Sequence, residues 1–252
     1  MDGTRLSDGA FIVFKIVRRS EYPYEVDIAK FFSTEPLRSD PKNHCVPIYD
    51  ILSLPGDVDT VIMVMPLLLG YTAPPFRTVG EAVDCFRQLF EVGVVKFLPY
   101  CFNGYTRVFN LCTSIESPTG IQIKCVFLVL RFERDCKSLN IMMDANRLYV
   151  DAFHPVHPLM RRDFSGFARY KTRTQRPVRY FLIDFGLSRP YDSKFHHQAL
   201  RTSYMGGDKE VPEFQNSSQP CDLFPTDVFY IGNVIRKDFI EVSFRLVICS
   251  RV

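Results

Sequence analysis

The chain has 252 residues, 46% hydrophobic and 23% charged, which excludes disordered and fibrous classes and allows one large domain or two modest lobes. A net charge of +3 with a pI near 8.4 is too mild to argue for nucleic acid. No apolar run reaches the ~18–20 residues a bilayer requires, and the start Met1-Asp2-Gly3-Thr4-Arg5 lacks the basic-then-apolar pattern of a signal peptide.

A Ser7-Asp8-Gly9 turn precedes residues 11–17, a short run rich in β-branched and aromatic types that predicts a buried strand containing Lys15. Residues 25–32 place Val26, Ile28, Ala29, Phe31 and Phe32 on a broad apolar stripe, predicting a short helix. Strands follow at 46–52 and 60–65, joined by a Pro55-Gly56-Asp57 turn. Pro66 opens a stretch with Gly70, Pro74 and Pro75, expected as a linker between two lobes. Residues 81–91 set Val83, Phe86, Leu89 and Phe90 at helical spacing.

Residues 92–132 change character. They hold five charged groups and three of the eight cysteines, follow no sustained period, and carry the whole net charge of the chain. From 133 the order returns, with short strands at 141–143 and 180–183. The basic segment 161–179 between them has seven basic residues against Asp163 and is expected as a solvated hairpin. Residues 227–236 form a helix opened by Pro225-Thr226, and 241–252 are apolar and strand-like. The eight cysteines include no C-x-x-C pair, so they read as a reduced set, neither disulfide framework nor zinc site. His154 and His157, each followed by a proline (Pro155 and Pro158), read as part of a solvated loop, not as metal ligands.

Two segments carry chemistry together. In Arg134-Asp135-Cys136-Lys137-Ser138-Leu139-Asn140, an asparagine follows an aspartate by five positions and leads directly into an apolar strand. Downstream, Asp184-Phe185-Gly186 follows the strand at 180–183. These match R-D-x-x-x-x-N and D-F-G, in the order found in protein kinases. Taken singly, Lys15 fits a lysine snorkelling from an edge strand, Asp135 and Asn140 fit turn formers, and Asp184 fits a strand cap. Order and spacing together favour the catalytic pattern.

The sequence resembles the protein kinase superfamily, and most closely kinase-like proteins of mushroom-forming fungi (basidiomycetes). The closer likeness rests on Thr172-Arg173-Thr174-Gln175-Arg176-Pro177, on 182–189 and on Gly206-Gly207-Asp208-Lys209-Glu210-Val211-Pro212-Glu213-Phe214. It covers the chain outside 92–132 and 241–252. The resemblance implies an α+β, two-lobed kinase-like fold, truncated at both ends, with a partial N-lobe at 1–70, a partial C-lobe at 71–252 and an atypical insert at 92–132. It implies ATP and Mg²⁺ as cofactors and a protein hydroxyl as acceptor, serine or threonine in preference to tyrosine.

By the same resemblance, Asp135 would orient the acceptor hydroxyl and take its proton, and Lys137 would steady the γ-phosphate. Lys15 would grip the α- and β-phosphates, with Glu25 rather than Asp27 as its ion-pair partner. Asn140 and Asp184 would hold Mg²⁺ through oxygen. Residues 211–213 look like the element closing the activation segment, in which Thr202, Ser203 and Tyr204 are possible phosphorylation positions. Asp227 looks like the aspartate that opens the large C-lobe helix and fastens the catalytic loop.

The chain departs from the pattern in four places. No G-x-G-x-x-G loop stands before Lys15, Glu133 occupies the usual histidine position, 92–132 lengthens a normally short connection, and the late C-lobe helices are missing. Residues 92–132 and 241–252 are therefore expected to be translated intervening sequence. A second function stays open: a catalytically inactive scaffold that keeps the fold and binds partners. The expected setting is intracellular, with the cytoplasm as compartment, a protein substrate as partner, and neither nucleic acid nor membrane.

Overall fold

The computed structural model describes residues 1–97, 140–186, 188, 200–201, 221–222 and 224–241. The chain divides into two compact units, one of Met1–Val92 with Asn140–Gly186 and one of Gly93–Leu139 with Leu187–Val252. The expected boundary at 70/71 falls inside the first of these.

The first unit is mixed α+β. It begins with β1 (Asp2–Thr4) and β2 (Phe11–Arg18), followed by α1 (Glu25–Phe32), β3 (Asp50–Leu54), β4 (Asp57–Pro66) and β5 (Leu69–Gly70). Then come α2 (Val79–Phe97), which belongs to this unit through Val92, β6 (Ile141–Asp144) and β7 (Arg179–Leu182). A four-stranded antiparallel sheet has the order β1-β2-β4-β3, and a three-stranded one the order β5-β6-β7. Because side chains alternate along a strand, Val13, Lys15 and Val17 share one face of β2. Their partners across the ladder are Met65, Met63 and Val61, all buried. Lys15 thus lies on an interior strand, on the apolar face, not at an edge.

Helix α1 keeps its predicted bounds, turning Glu25, Val26, Ile28, Ala29 and Phe32 inward. The strand expected at 46–52 begins later. Pro47 has no N–H to donate to a ladder, and residues 44–46 bond instead to β7, with Leu182 donating to the His44 carbonyl (2.7 Å) and Val46 to the Leu182 carbonyl (3.0 Å). The expected linker after Pro66 is core: Leu67, Leu68, Leu69 and Tyr71 are buried, and β5 pairs with β6.

Helix α2 runs through Phe97, past the expected break between 91 and 92. Its buried stripe is Glu81, Cys85, Gln88 and Leu89, while Val83 and Phe90 are exposed. Polar residues occupy the inner face because each finds a partner. Glu81 accepts from the Arg77 amide and from the amide and hydroxyl of Thr174. Gln88 donates to the Val178 carbonyl and accepts from the Tyr180 amide.

The basic segment is likewise not wholly solvated. Arg173 is buried, donating to the carbonyls of Tyr71 (2.8 Å) and Pro74 (2.7 Å) beneath the Phe76 ring. His154 accepts through Nδ1 from the Val156 and His157 amides, as a turn former does.

In the second unit, β8 (Leu200–Arg201) pairs with β9 (Cys221–Asp222). Helix α3 (Phe224–Ile235) buries Tyr230, Asn233 and Val234 and passes into a wider helical turn, Arg236–Glu241. The expected activation segment apart from Ser188, Leu200 and Arg201, the 211–213 element and the tail after Glu241 lie outside the described residues. Among the described residues, no helix is long and apolar enough to cross a membrane.

Candidate functional site

Four of the six site residues expected from the sequence fall within described residues. Asp135 and Lys137 lie outside them.

Lys15 projects from β2 toward α1, where its Nζ donates to Glu25 Oε1 and, at 2.9 Å, to Asp184 Oδ1. The second contact joins residues 169 positions apart. Glu25 sits in the first turn of α1, and Asp27, between the buried Val26 and Ile28, is exposed. The Glu25 side chain is 2% exposed, against 29% for Lys15 and 49% for Asp184. Burial is the largest influence on Glu25 and pushes its carboxyl up; Lys15 and the Phe185 amide pull it back, and the net direction is up. Burial would lower the Lys15 ammonium, but Glu25 and Asp184 outweigh it and hold it above the ordinary lysine value.

Asp184 follows β7 with φ at 65, a left-handed conformation that a side-chain-bearing residue adopts at a cost of about 1–3 kcal/mol. The turn is fixed from both ends. Gly186 donates its amide to Asp184 Oδ1 (3.2 Å), and Phe185, buried, packs 6.3 Å from Phe32 of α1. Gly186 has no room for a side chain, because an added Cβ would stand 2.9 Å from Tyr22 Cδ1. Asn140 reaches the same place through backbone: its carbonyl accepts from the Ile183 amide at 3.1 Å, one residue before Asp184.

One ammonium between two carboxylates leaves the cluster with a formal charge of −1. Asp184 Oδ2 accepts from no described residue, and the Asp184 side chain is half exposed. Among the described residues no group of three or more His, Cys, Asp or Glu converges on a metal position. By residue type, Asp184 and Asn140 can each offer an oxygen to a cation. That small set suits a cation such as Mg²⁺, which keeps its waters and binds through one or two carboxylates plus substrate phosphates.

Sequence reasoning missed Tyr22 and the buried Arg173. Tyr22 carries no spacing signal, since its contact with Gly186 is made by folding alone. Arg173 stood in the sequence as one cation among seven. No protein-family description, no curated protein and no solved structure matches the chain.

Proposed function

We propose that this chain is a protein-kinase-like phosphotransferase domain that uses ATP and Mg²⁺ to phosphorylate a protein hydroxyl, serine or threonine in preference to tyrosine. The observation that carries the proposal is the Lys15 ammonium held between a buried carboxylate on a helix and an exposed one after a distant strand. In phosphoryl transfer, catalysis is mostly positioning and electrostatic stabilisation, so a preset cation beside a metal-binding carboxylate is the required equipment.

Glu25 fixes the direction of Lys15 and Asp184 keeps one oxygen for a hard cation. Asn140 would add a second oxygen from its side-chain amide, since its carbonyl already accepts from Ile183. Mg²⁺ would supply charge neutralisation at the phosphate oxygens. Asp135 would receive the acceptor proton, and Lys137 would steady the transferring group. A cluster of net charge −1 disfavours a bare triphosphate, so nucleotide binding should require the divalent ion.

The non-catalytic scaffold is favoured by one observation: the loop leading into β2 contains Gly9 as its lone glycine and is closed by an Arg5–Asp8 ion pair. That loop is not a glycine-rich phosphate cradle. Thermal unfolding with and without Mg·ATP separates the two readings. Binding at a hundred times Kd should stabilise by about 2.7 kcal/mol. Asp184→Ala should lose most of that shift. Asp135→Ala should keep it and abolish transfer of labelled phosphate. No shift in folded wild-type chain refutes the enzyme.

A further inference from the structure

The segment joining β6 to β7 is long, basic and ordered. Between 145 and 178 it has seven arginines and lysines against two aspartates. Some of that charge is already used: Arg173 is buried on backbone carbonyls, and Arg161 and Arg169 face Asp151. Arg147, Lys171 and Arg176 differ. All three are exposed, and no described carboxylate pairs with any of them. They sit together at the base of the segment, where the Lys171 amide donates to the Leu148 carbonyl and the Arg176 guanidinium donates to the Arg147 carbonyl.

From this base a ladder of backbone bonds leads outward to a hairpin. Val150 donates to Arg169, Ala168 to Leu159 and Arg161 to Gly166, at 2.8, 2.9 and 2.8 Å. The hairpin holds apolar side chains in water: Phe167 is 77% exposed, Val156 72% and Leu159 53%. Single exposed apolar residues need no explanation, but three on one fixed hairpin whose base carries unpaired cations do.

We infer that this hairpin and its basic base form a docking surface for an acidic protein segment that carries aromatic or aliphatic side chains. Carboxylates would meet Arg147, Lys171 and Arg176, and apolar side chains would cover Phe167, Val156 and Leu159. Because the backbone is already ordered, little conformational freedom is lost on binding. Asp163, exposed at the hairpin tip and accepting from the Ser165 amide, argues against a lipid surface or a nucleic acid. A continuous anionic surface pressed on the tip would meet that carboxylate, whereas a discrete peptide can avoid it. None of these residues belongs to the Lys15–Glu25–Asp184 cluster, so the inference stands apart from phosphoryl transfer.

The test is fluorescence anisotropy on the full chain with a labelled peptide of alternating glutamate and phenylalanine. An all-glutamate peptide, phosphatidylserine vesicles and duplex DNA serve as competitors. The mixed peptide should bind, more weakly as salt rises, and Arg147→Glu with Lys171→Glu should weaken it about tenfold or more. Phe167→Ser should weaken the mixed peptide and leave the all-glutamate peptide unchanged. Should the double variant unfold, Lys171→Glu alone gives the same reading, since that side chain bonds to no described residue. The inference is overturned if the mixed peptide does not bind, if charge reversal changes nothing, or if vesicles or DNA compete better than the peptide.

Discussion

Glu25 depends on Lys15 far more than Lys15 depends on Glu25, because the carboxylate is nearly out of water and the ammonium is not. Lys15→Met therefore leaves a buried acid with the Phe185 amide but no cation, and should cost about 3–5 kcal/mol near neutral pH. The sign of the pH effect follows from the upward direction of Glu25. Above the ordinary carboxylate range the folded state binds more protons than the unfolded state, so stability falls as pH rises. Urea melts of Lys15→Met should accordingly show recovery as pH falls from neutral toward the ordinary carboxylate range, and adding Glu25→Gln should remove the dependence. A flat profile in the single variant would mean Glu25 is not the strained group. At Gly186 the quantity at stake is space. Gly186→Ala forces a Cβ into the Tyr22 ring and should cost about 1–3 kcal/mol. Tyr22→Ala should relieve much of that in a double-mutant cycle, since residues in contact do not add; additive losses would disprove the contact. Lys15, Glu25 and Asp184 were singled out through the kinase resemblance, whose Asp-Phe-Gly motif is written along the chain. Tyr22 was not, because nothing local distinguishes a tyrosine that will meet a distant glycine.

At the scale of elements, local pattern succeeded where apolar residues mark most of the inner face and failed where polar residues carry it. The stripe of α1 was readable because Val26, Ile28, Ala29 and Phe32 mark it, with Glu25 the one buried polar residue on it. That of α2 was misassigned because Glu81 and Gln88 look like surface residues until Thr174, Val178 and Tyr180 supply their bonds. Arg173 belongs to the same class. Its Nη2 alone donates to two carbonyls in the segment after β5, so Arg173→Met leaves buried acceptors unpaired and should cost about 2–4 kcal/mol in chemical denaturation. Arg173→Lys should recover only part of this, because an ammonium reaching those carbonyls lacks the planar face laid on Phe76 and the Nε contact with Met143 Sδ. Full recovery by lysine would show that charge alone matters there.

For the whole molecule, the net charge of +3 resides in 92–132, a stretch with low charge density and no period. Helical backbone nevertheless continues through Phe97, so the start of that stretch is not where α2 ends. If 92–132 and 241–252 are translated intervening sequence, the mature transcript should lack the codons for both. Transcript sequencing that retains them, together with detectable protein, would sink that idea. The sequence by itself determined α1, β2, β4, β6 and β7, though not β1, β5 or the start of β3, and it determined the order of the Asp-x-x-x-x-Asn and Asp-Phe-Gly motifs, because these depend on neighbours a few residues apart. Only the tertiary structure decided which charged and polar side chains leave water. Desolvation is tolerable only where a partner from elsewhere in the chain is already in place. Glu25 meets that condition through Lys15 and Arg173 through Tyr71 and Pro74, while Arg147, Lys171 and Arg176 stay outside for want of one.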